Sequence, residues 1–373
     1  MKDLETCRKE IDDIDQQIMS LFEKRMNVAK DVVLYKIEKD LPIFQPEREQ
    51  QVIKKNINRL TQEDLKSYAE IYMQNMMNVS KTYQASFINT QHSFDLKKPC
   101  LEGITVGFQG VPGSFSEHAL ESYFGKDAKR KNYVHFKDVY QALKDGEIHY
   151  GVVPLENSST GAINDNYDLI RDYGFFIVGE QKISIAQHLL GIKGTKVEDL
   201  TDVYSHPQGI QQCKEFLSEH RYIQPHEYLN TAVAAKYVAD EKNPHLSAIA
   251  SSKAAQLYGL DIIEKNIQDN KNNSTRFIIF GKDMEKIQNA NCISIVFTLP
   301  HKAGALFQVM KIINDHFINL LKIESRPIKD SPWEYYFYVD FEGSLDSQNI
   351  VSAIDEIKAH THSLRIIGNY MKK

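Results

Sequence analysis

The chain has 373 residues, enough for two or three domains of ordinary size. Its formal net charge is −5, with 45 Lys and Arg against 50 Asp and Glu and no long basic run, which argues against a nucleic-acid partner. Four scattered cysteines without a CxxC spacing and 13 histidines without an HExxH spacing argue against a disulfide framework and against a metal site.

The opening MKDLETCRKEIDDID is charged, helical in period and lacks the apolar core of a signal peptide. No apolar run approaches the ~18 residues of a membrane span. These features predict a cytoplasmic protein with no membrane partner.

Residues 1–90 are helical in period. The first part reads as one long helix with a seam at 3-4 spacing: Leu4, Cys7, Ile11, Ile14, Ile18, Leu21, Val28, Val32 and Tyr35. Arg25 stands in that seam where an apolar residue is expected. Burying an unpaired guanidinium is costly, so an anion is expected beside it, and a small molecule would serve. Lys36 lies three turns further on the same face, about 16 Å along the axis. Arg8 lies about 25 Å from Arg25 and is rotated by about 100°, so it reaches the same ligand only from a second, antiparallel copy of the helix. The seam favours such a homodimer. Pro46 suits the first position of a second helix, PEREQQVIKKNINRL. A third helix follows Thr61, with Leu65, Tyr68, Tyr72, Met76, Val79 and Tyr83 expected inward and Ser80 and Gln84 forming an i,i+4 polar pair. Taken singly, Arg8, Lys36, Ser80 and Gln84 pass as surface charges and caps; together they suggest a cationic pocket.

Residues 91–103 lose periodicity and read as a linker. From 104 to 281, short apolar strands alternate with helices, the grammar of an α/β domain with a mostly parallel sheet. Several strands end in hydroxyl or amide residues where a helix starts: Ser114 and Ser116, Asn157 and Ser158, Ser205, Asn230 and Thr231, Ser251 and Ser252. Each alone is an ordinary cap. Several on one sheet suggest a crevice for an anion, since helix N-termini present free N–H groups. Residues 292–370 read strand, helix, strand, strand, helix, strand, a ferredoxin-like module.

The stretch from LETCRKEIDDID to FQPERE, with the Ser80 to Gln84 end, resembles the all-helical chorismate mutases. The resemblance implies an intertwined dimer whose pockets are lined by Arg8 (from the partner copy), Arg25, Lys36, Gln45, Arg48, Glu49, Ser80 and Gln84. The chemistry suits those residues. Chorismate is a dianion, and its rearrangement to prephenate needs a held conformer and stabilisation of charge growing on the ether oxygen. Arg8 and Arg25 would hold the carboxylates, Lys36 and Gln84 the ether oxygen, and Gln45 and Glu49 the ring hydroxyl.

GVVPLENSSTG, SHPQGIQQC, NTAVAA and NSTRFIIFG resemble the prephenate dehydratases across 104–281. The implied fold is two α/β lobes of the periplasmic-binding-protein kind with the site in the cleft. By motif position, Thr275 would donate a hydrogen bond to the leaving hydroxyl, and either a water or a second group, for which Glu156 is the candidate if burial raises its pKa, would supply the proton. Arg276 would anchor a carboxylate, and Asn157, Ser205 and Gln212 would line the cleft. His206, before a proline, is left outside the catalytic set.

The segment beginning ISIVFTLPHKAGALF resembles an ACT domain of the phenylalanine-sensing type. Gly304, Ala305 and Leu306 at a helix start, and Glu324, Ser325 and Arg326 at a strand end, would take the effector. Phe307 stands where relatives carry a smaller aliphatic residue. Together the three resemblances imply a bifunctional chorismate mutase–prephenate dehydratase without cofactor, binding chorismate, prephenate and phenylalanine, and forming a homodimer or higher oligomer. The alternatives are a non-catalytic ligand sensor and a dehydratase with a vestigial mutase domain.

Overall fold

The structure, a computed structural model, describes residues 2–39, 41, 46–85, 87, 94–99, 102–329 and 331–372. The chain forms two compact units. One gathers Met1–Phe94, Thr298–Leu321 and Phe341–Leu364; the other gathers Asp95–Phe297, Lys322–Asp340 and Arg365–Lys373.

In the first unit, helix α1 (Leu4–Glu38) is capped by Asp3, whose carboxylate accepts from the Thr6 N–H at 2.9 Å. Helices α2 (Pro46–Ile57) and α3 (Lys66–Ala85) follow. Helices α11 (Ala305–Asp315) and α12 (Gln348–Ala359), numbered in chain order, pack on each other and on α3. The face of α1 that carries Met26 and Val33 is buried, whereas the seam is open: Ile11, Ile14 and Leu21 are 56%, 53% and 63% exposed.

The inward face expected of α3 needs correction. Tyr68 and Tyr72 are exposed, Met76, Val79 and Tyr83 are half-buried, and the buried residues among those described are Asn78 and Ser80. The period assumed one covering neighbour, but α1, α2, α11 and α12 all pack on α3. Polar side chains then fall inside and find partners: the Asn78 amide donates to Asp315 Oδ1 at 2.8 Å.

The second unit holds two sheets. Its first lobe contains β1 (Thr105–Gln109), α4 (Phe115–Phe124), β2 (Lys129–Tyr133), α5 (Phe136–Asp145), β3 (Tyr150–Asn157), β4 (Gly161–Ala162), α6 (Asn164–Tyr173) and β5 (Phe176–Ser184). The chain crosses to a second lobe of β6 (His188–Gly191), β7 (Asp202–Ser205), α7 (Pro207–Gln211), α8 (Lys214–Glu219), β8 (Gln224–Glu227), α9 (Thr231–Glu241), β9 (Leu246–Ala250), α10 (Ser252–Tyr258) and β10 (Asp261–Glu264). It returns as β11 (Ser274–Gly281). The remaining strands are β12 (Cys292–Thr298), β13 (Leu320–Pro327), β14 (Tyr335–Glu342) and β15 (Ser363–Tyr370).

The second-lobe sheet runs β10-β6-β9-β7-β8, and the long sheet runs β13-β14-β12-β15-β5-β11-β3-β1-β2. Its first four strands have the order of a ferredoxin-like module, as the strand and helix pattern predicts. The expectation of a mostly parallel sheet is corrected. β1 pairs in parallel with β2 and β3, but β11 is antiparallel to both β3 and β5. The return strand slots between first-lobe strands and needs no crossover helix. β11 lies close under its neighbours: a Cβ at Gly151 would sit 2.3 Å from the Phe280 ring. The core of the first lobe joins Val106, Phe108, Leu120, Val152, Phe277 and Ile279.

Candidate functional site

A cleft of about 470 Å³ lies in the second unit, lined from both lobes. Strand β11 supplies Thr275 and Phe277, and strand β3 supplies Pro154 and Asn157. Residues 275 and 277 share a face by ordinary strand alternation. Residues 154 and 157 do not, and a register shift opposite Arg276 and Phe277 brings them to the same side. The second lobe adds His206, Gln208 and Gln212 around α7, and Asn230 and Thr231 at the start of α9.

Asn157 organises the floor. Its Nδ2 donates to Thr275 Oγ1 at 2.9 Å and to Asn273 Oδ1 at 2.8 Å, while its Oδ1 accepts from the Ser159 and Thr160 N–H groups at 2.9 and 3.1 Å. The amide is fixed from both ends. Because Thr275 Oγ1 accepts from Asn157, its own O–H is left to donate.

Among the described lining residues there is no Lys, Arg, Asp or Glu. Positive potential comes instead from helix starts. Ser114 caps α4 and Asn230 caps α9, accepting from Val233 N–H at 2.8 Å, and the first residues of both helices line the cleft. His206 Nδ1 accepts from the Gln208 N–H at 3.2 Å, and burial holds its pKa below the ordinary histidine value. The neutral ring therefore carries its proton on Nε2. Beside the cleft two hydrogen bonds join the lobes: Gln208 Nε2 to Thr160 Oγ1 at 2.9 Å, and Asn270 Nδ2 to Ser159 Oγ at 3.0 Å.

Thr275, Asn157 and Gln212 are thus brought together, and three expected members are not. Glu156 is on the other face of β3, where its carboxylate pairs with Lys322 at 2.8 Å. Arg276 is on the other face of β11, bonded to Glu180, Asp340 and Tyr370. In both cases the neighbour in sequence of a cleft residue points away from the cleft. Ser205 lies fully buried beneath the lining, its Oγ donating to the Ile249 carbonyl at 2.7 Å. The motifs did not single out Gln109 and Gln187. Gln187 donates to Gln212 Oε1 at 3.3 Å, and its own buried Oε1 has no partner among the described residues. Gln109 ends β1 with no helix starting directly after it, and Gln187 lies between β5 and β6, so neither fits the pattern of a polar residue at a helix start.

In the helical region, Arg25 is half-buried. Its Nη2 lies 3.1 Å from Met77 Sδ, and its Nη1 is buried without a hydrogen-bond partner among the described residues. Desolvation lowers its pKa. Lys36 lies half-buried on the same helix. Gln84 Nε2 donates to Ser80 Oγ at 3.0 Å, and Glu49 pairs with Lys81 at 3.4 Å. Arg8 and Arg48 are exposed. Gln45 lies outside the described residues.

In the C-terminal part, Gly304 caps α11 with a left-handed φ of 80°, Ala305 is buried and Leu306 half-buried. A recess of about 230 Å³ opens at that helix start, lined by Pro300, Lys302, Ala305, Gln308 and residues 359–362. On β13, Glu324 and Arg326 share the half-buried face while Ser325 is on the exposed one, so the three do not present to one side. Arg326 donates to Asp168 at 2.7 Å.

Comparison with known proteins follows the same division. The family model for chorismate mutase type II matches residues 7–85, that for prephenate dehydratase residues 106–285, and that for the ACT domain residues 293–359. The bifunctional chorismate mutase/prephenate dehydratase of Aquifex aeolicus (strain VF5) is 33% identical over 374 residues, covering 100% of this chain and 99% of that protein. The prephenate dehydratase from Arthrobacter aurescens in complex with L-Phe is 25% identical with a TM-score of 0.66, covering 72% of this chain and 90% of that one. A structure described as GqqA, a novel type of quorum quenching acylase, is 27% identical with a TM-score of 0.66, covering 72% of this chain and 98% of that one.

Proposed function

This chain belongs to the bifunctional chorismate mutase/prephenate dehydratase family, and we propose from that membership and from the cleft how its two reactions are run. It converts chorismate to prephenate and prephenate to phenylpyruvate. The observation that carries the dehydratase reading is the Thr275 hydroxyl, fixed by Asn157 as a donor into a cleft whose described lining holds no formal charge.

Prephenate loses CO2 and its ring hydroxyl in one aromatisation. The bond from the ring to the carboxylate breaks, its electron pair enters the ring, and the C4–O bond releases hydroxide. Thr275 donates a hydrogen bond to that departing oxygen, and a solvent proton completes water. The helix starts at Ser114 and Asn230 hold the carboxylates, so no cation competes with the reacting centre. Gln187 and Gln212 complete the polar wall.

The mutase half works by placement. Arg25, with an unpartnered Nη1, takes one carboxylate of chorismate, and Arg8 of a second copy takes the other. Lys36 and Gln84 serve the ether oxygen, with Ser80 orienting Gln84. The open seam of α1 is the surface on which the second copy pairs. We assign the C-terminal module to feedback by phenylalanine, with the helix start at Gly304 to Leu306 taking the amino-acid carboxylate, and the protein to the cytoplasm. No described helix is long and apolar enough to cross a membrane. The test is Thr275→Ala: phenylpyruvate formation from prephenate is lost and chorismate consumption persists. Retained dehydration would remove Thr275 from the mechanism.

A further inference from the structure

The residue after Thr275 in the STRF motif carries a guanidinium with three side-chain partners. Arg276 Nε donates to Glu180 Oε2 at 2.7 Å, Nη1 to Asp340 Oδ2 at 2.7 Å and Nη2 to the Tyr370 hydroxyl at 2.6 Å. Its side chain is 15% exposed, Glu180's 3% and Asp340's 11%. The partners are themselves held. Ser294 Oγ donates to Asp340 Oδ1 at 2.5 Å and lies 3.1 Å from the Tyr370 hydroxyl, which also accepts from Cys292 Sγ at 3.3 Å.

Three strands therefore meet on one guanidinium, and a fourth holds two of its partners. Glu180 comes from β5 of the first lobe, whereas Asp340, Tyr370, Ser294 and Cys292 come from β14, β15 and β12 of the C-terminal module. Burying this many polar groups is a poor way to gain stability alone, since an apolar cluster of the same volume does as well. What it does give is a fixed location for one backbone position, because a planar fork with three separate acceptors tolerates little displacement. That position is covalently next to Thr275, and a register shift between β11 and β3 begins at Arg276 itself.

We propose that Arg276 is a positioning residue for the dehydratase reaction, holding Thr275 in place through β11 by its clamp on Asp340 and Tyr370, so that strands of the C-terminal module are part of the dehydratase machinery even without effector. This rests on the dehydratase reading above. It replaces the carboxylate-anchor role that the motif suggested for Arg276.

The test uses the full chain with prephenate and no phenylalanine. Arg276→Lys keeps the charge but one ammonium cannot serve three acceptors. Tyr370→Phe removes a single hydroxyl and is the variant that keeps the question open if Arg276→Lys fails to fold. A misplacement of about 1 Å costs on the order of 100-fold in rate, so kcat should fall at least about tenfold. KM for prephenate should stay within about threefold, because the groups that hold substrate are untouched. Mutase turnover of the same samples reads the folded fraction and should be unchanged. Three results overturn the proposal: kcat within about twofold of wild type, a kcat loss matched by an equal loss of mutase turnover, or a rise in KM with kcat intact, which would restore Arg276 as a substrate ligand. If the wild-type chain itself does not dehydrate prephenate, the dehydratase reading fails first, and that is seen before any variant is made.

Discussion

The Asn157 side-chain amide donates to Thr275 Oγ1 across 2.9 Å, and its own carbonyl oxygen is held by two backbone N–H groups. The hydroxyl at the floor of the cleft thereby has its acceptor side occupied and its proton aimed outward. Thr275→Ser should keep measurable dehydration and Thr275→Ala should not. Asn157→Ala leaves the hydroxyl free to rotate and should lower kcat by about 100-fold, the usual cost of losing one oriented donor. Steady-state assays on prephenate check this, and an Asn157→Ala enzyme with full kcat would contradict it.

Arg25 carries a buried Nη1 with no partner among the described residues, and Lys36 lies on the same face of α1. Arg25→Ala and Lys36→Ala should each reduce chorismate turnover by about 100-fold or more, from loss of charge-assisted contacts in the transition state. Dehydration of added prephenate should be unaffected. A mutase rate within a fewfold of wild type for either variant removes that residue from the pocket.

The open apolar seam of α1 sets a third expectation. Ile14→Glu with Leu21→Glu places two charges on the surface assigned to the second copy. Sedimentation should show loss of the dimer. Mutase activity should fall with it, since Arg8 then belongs to no pocket, while the dehydratase cleft, built from one chain, keeps working. An intact dimer, or a monomer with full mutase activity, contradicts the shared pocket.

His188 is buried, and its Nδ1 accepts from the Asn266 N–H at 3.0 Å. Burial lowers its pKa in the folded state. The unfolded chain therefore binds this proton first as pH falls below about 6.5, so the folded state loses stability through that window and gains none above it. Urea midpoints at pH 7.5 and 5.5 should differ more for wild type than for His188→Asn, which keeps an acceptor but does not titrate. Equal differences would mean that His188 does not contribute to acid sensitivity.

Much of this architecture is written locally. The unbroken 3-4 period gives α1 its extent, Ser114, Asn230 and Ser251 mark helix starts, and the C-terminal alternation gives the order of its elements. What the sequence does not carry is facing. Glu156 and Arg276 adjoin cleft residues in sequence and point the other way, and the partners that claim Arg276 lie 64 and 94 residues further on. Likewise α3 buries Asn78 and Ser80 because several helices surround it, a circumstance its own period does not contain.

The central claim is that one chain performs both reactions in series. The direct measurement adds chorismate to the purified protein and follows chorismate loss and phenylpyruvate appearance separately, with and without phenylalanine. The account predicts that chorismate is consumed, that phenylpyruvate appears through prephenate, and that phenylalanine slows its appearance. Chorismate left untouched while added prephenate is converted would reduce the helical region to a dimerisation element. Turnover of neither would contradict the account as a whole.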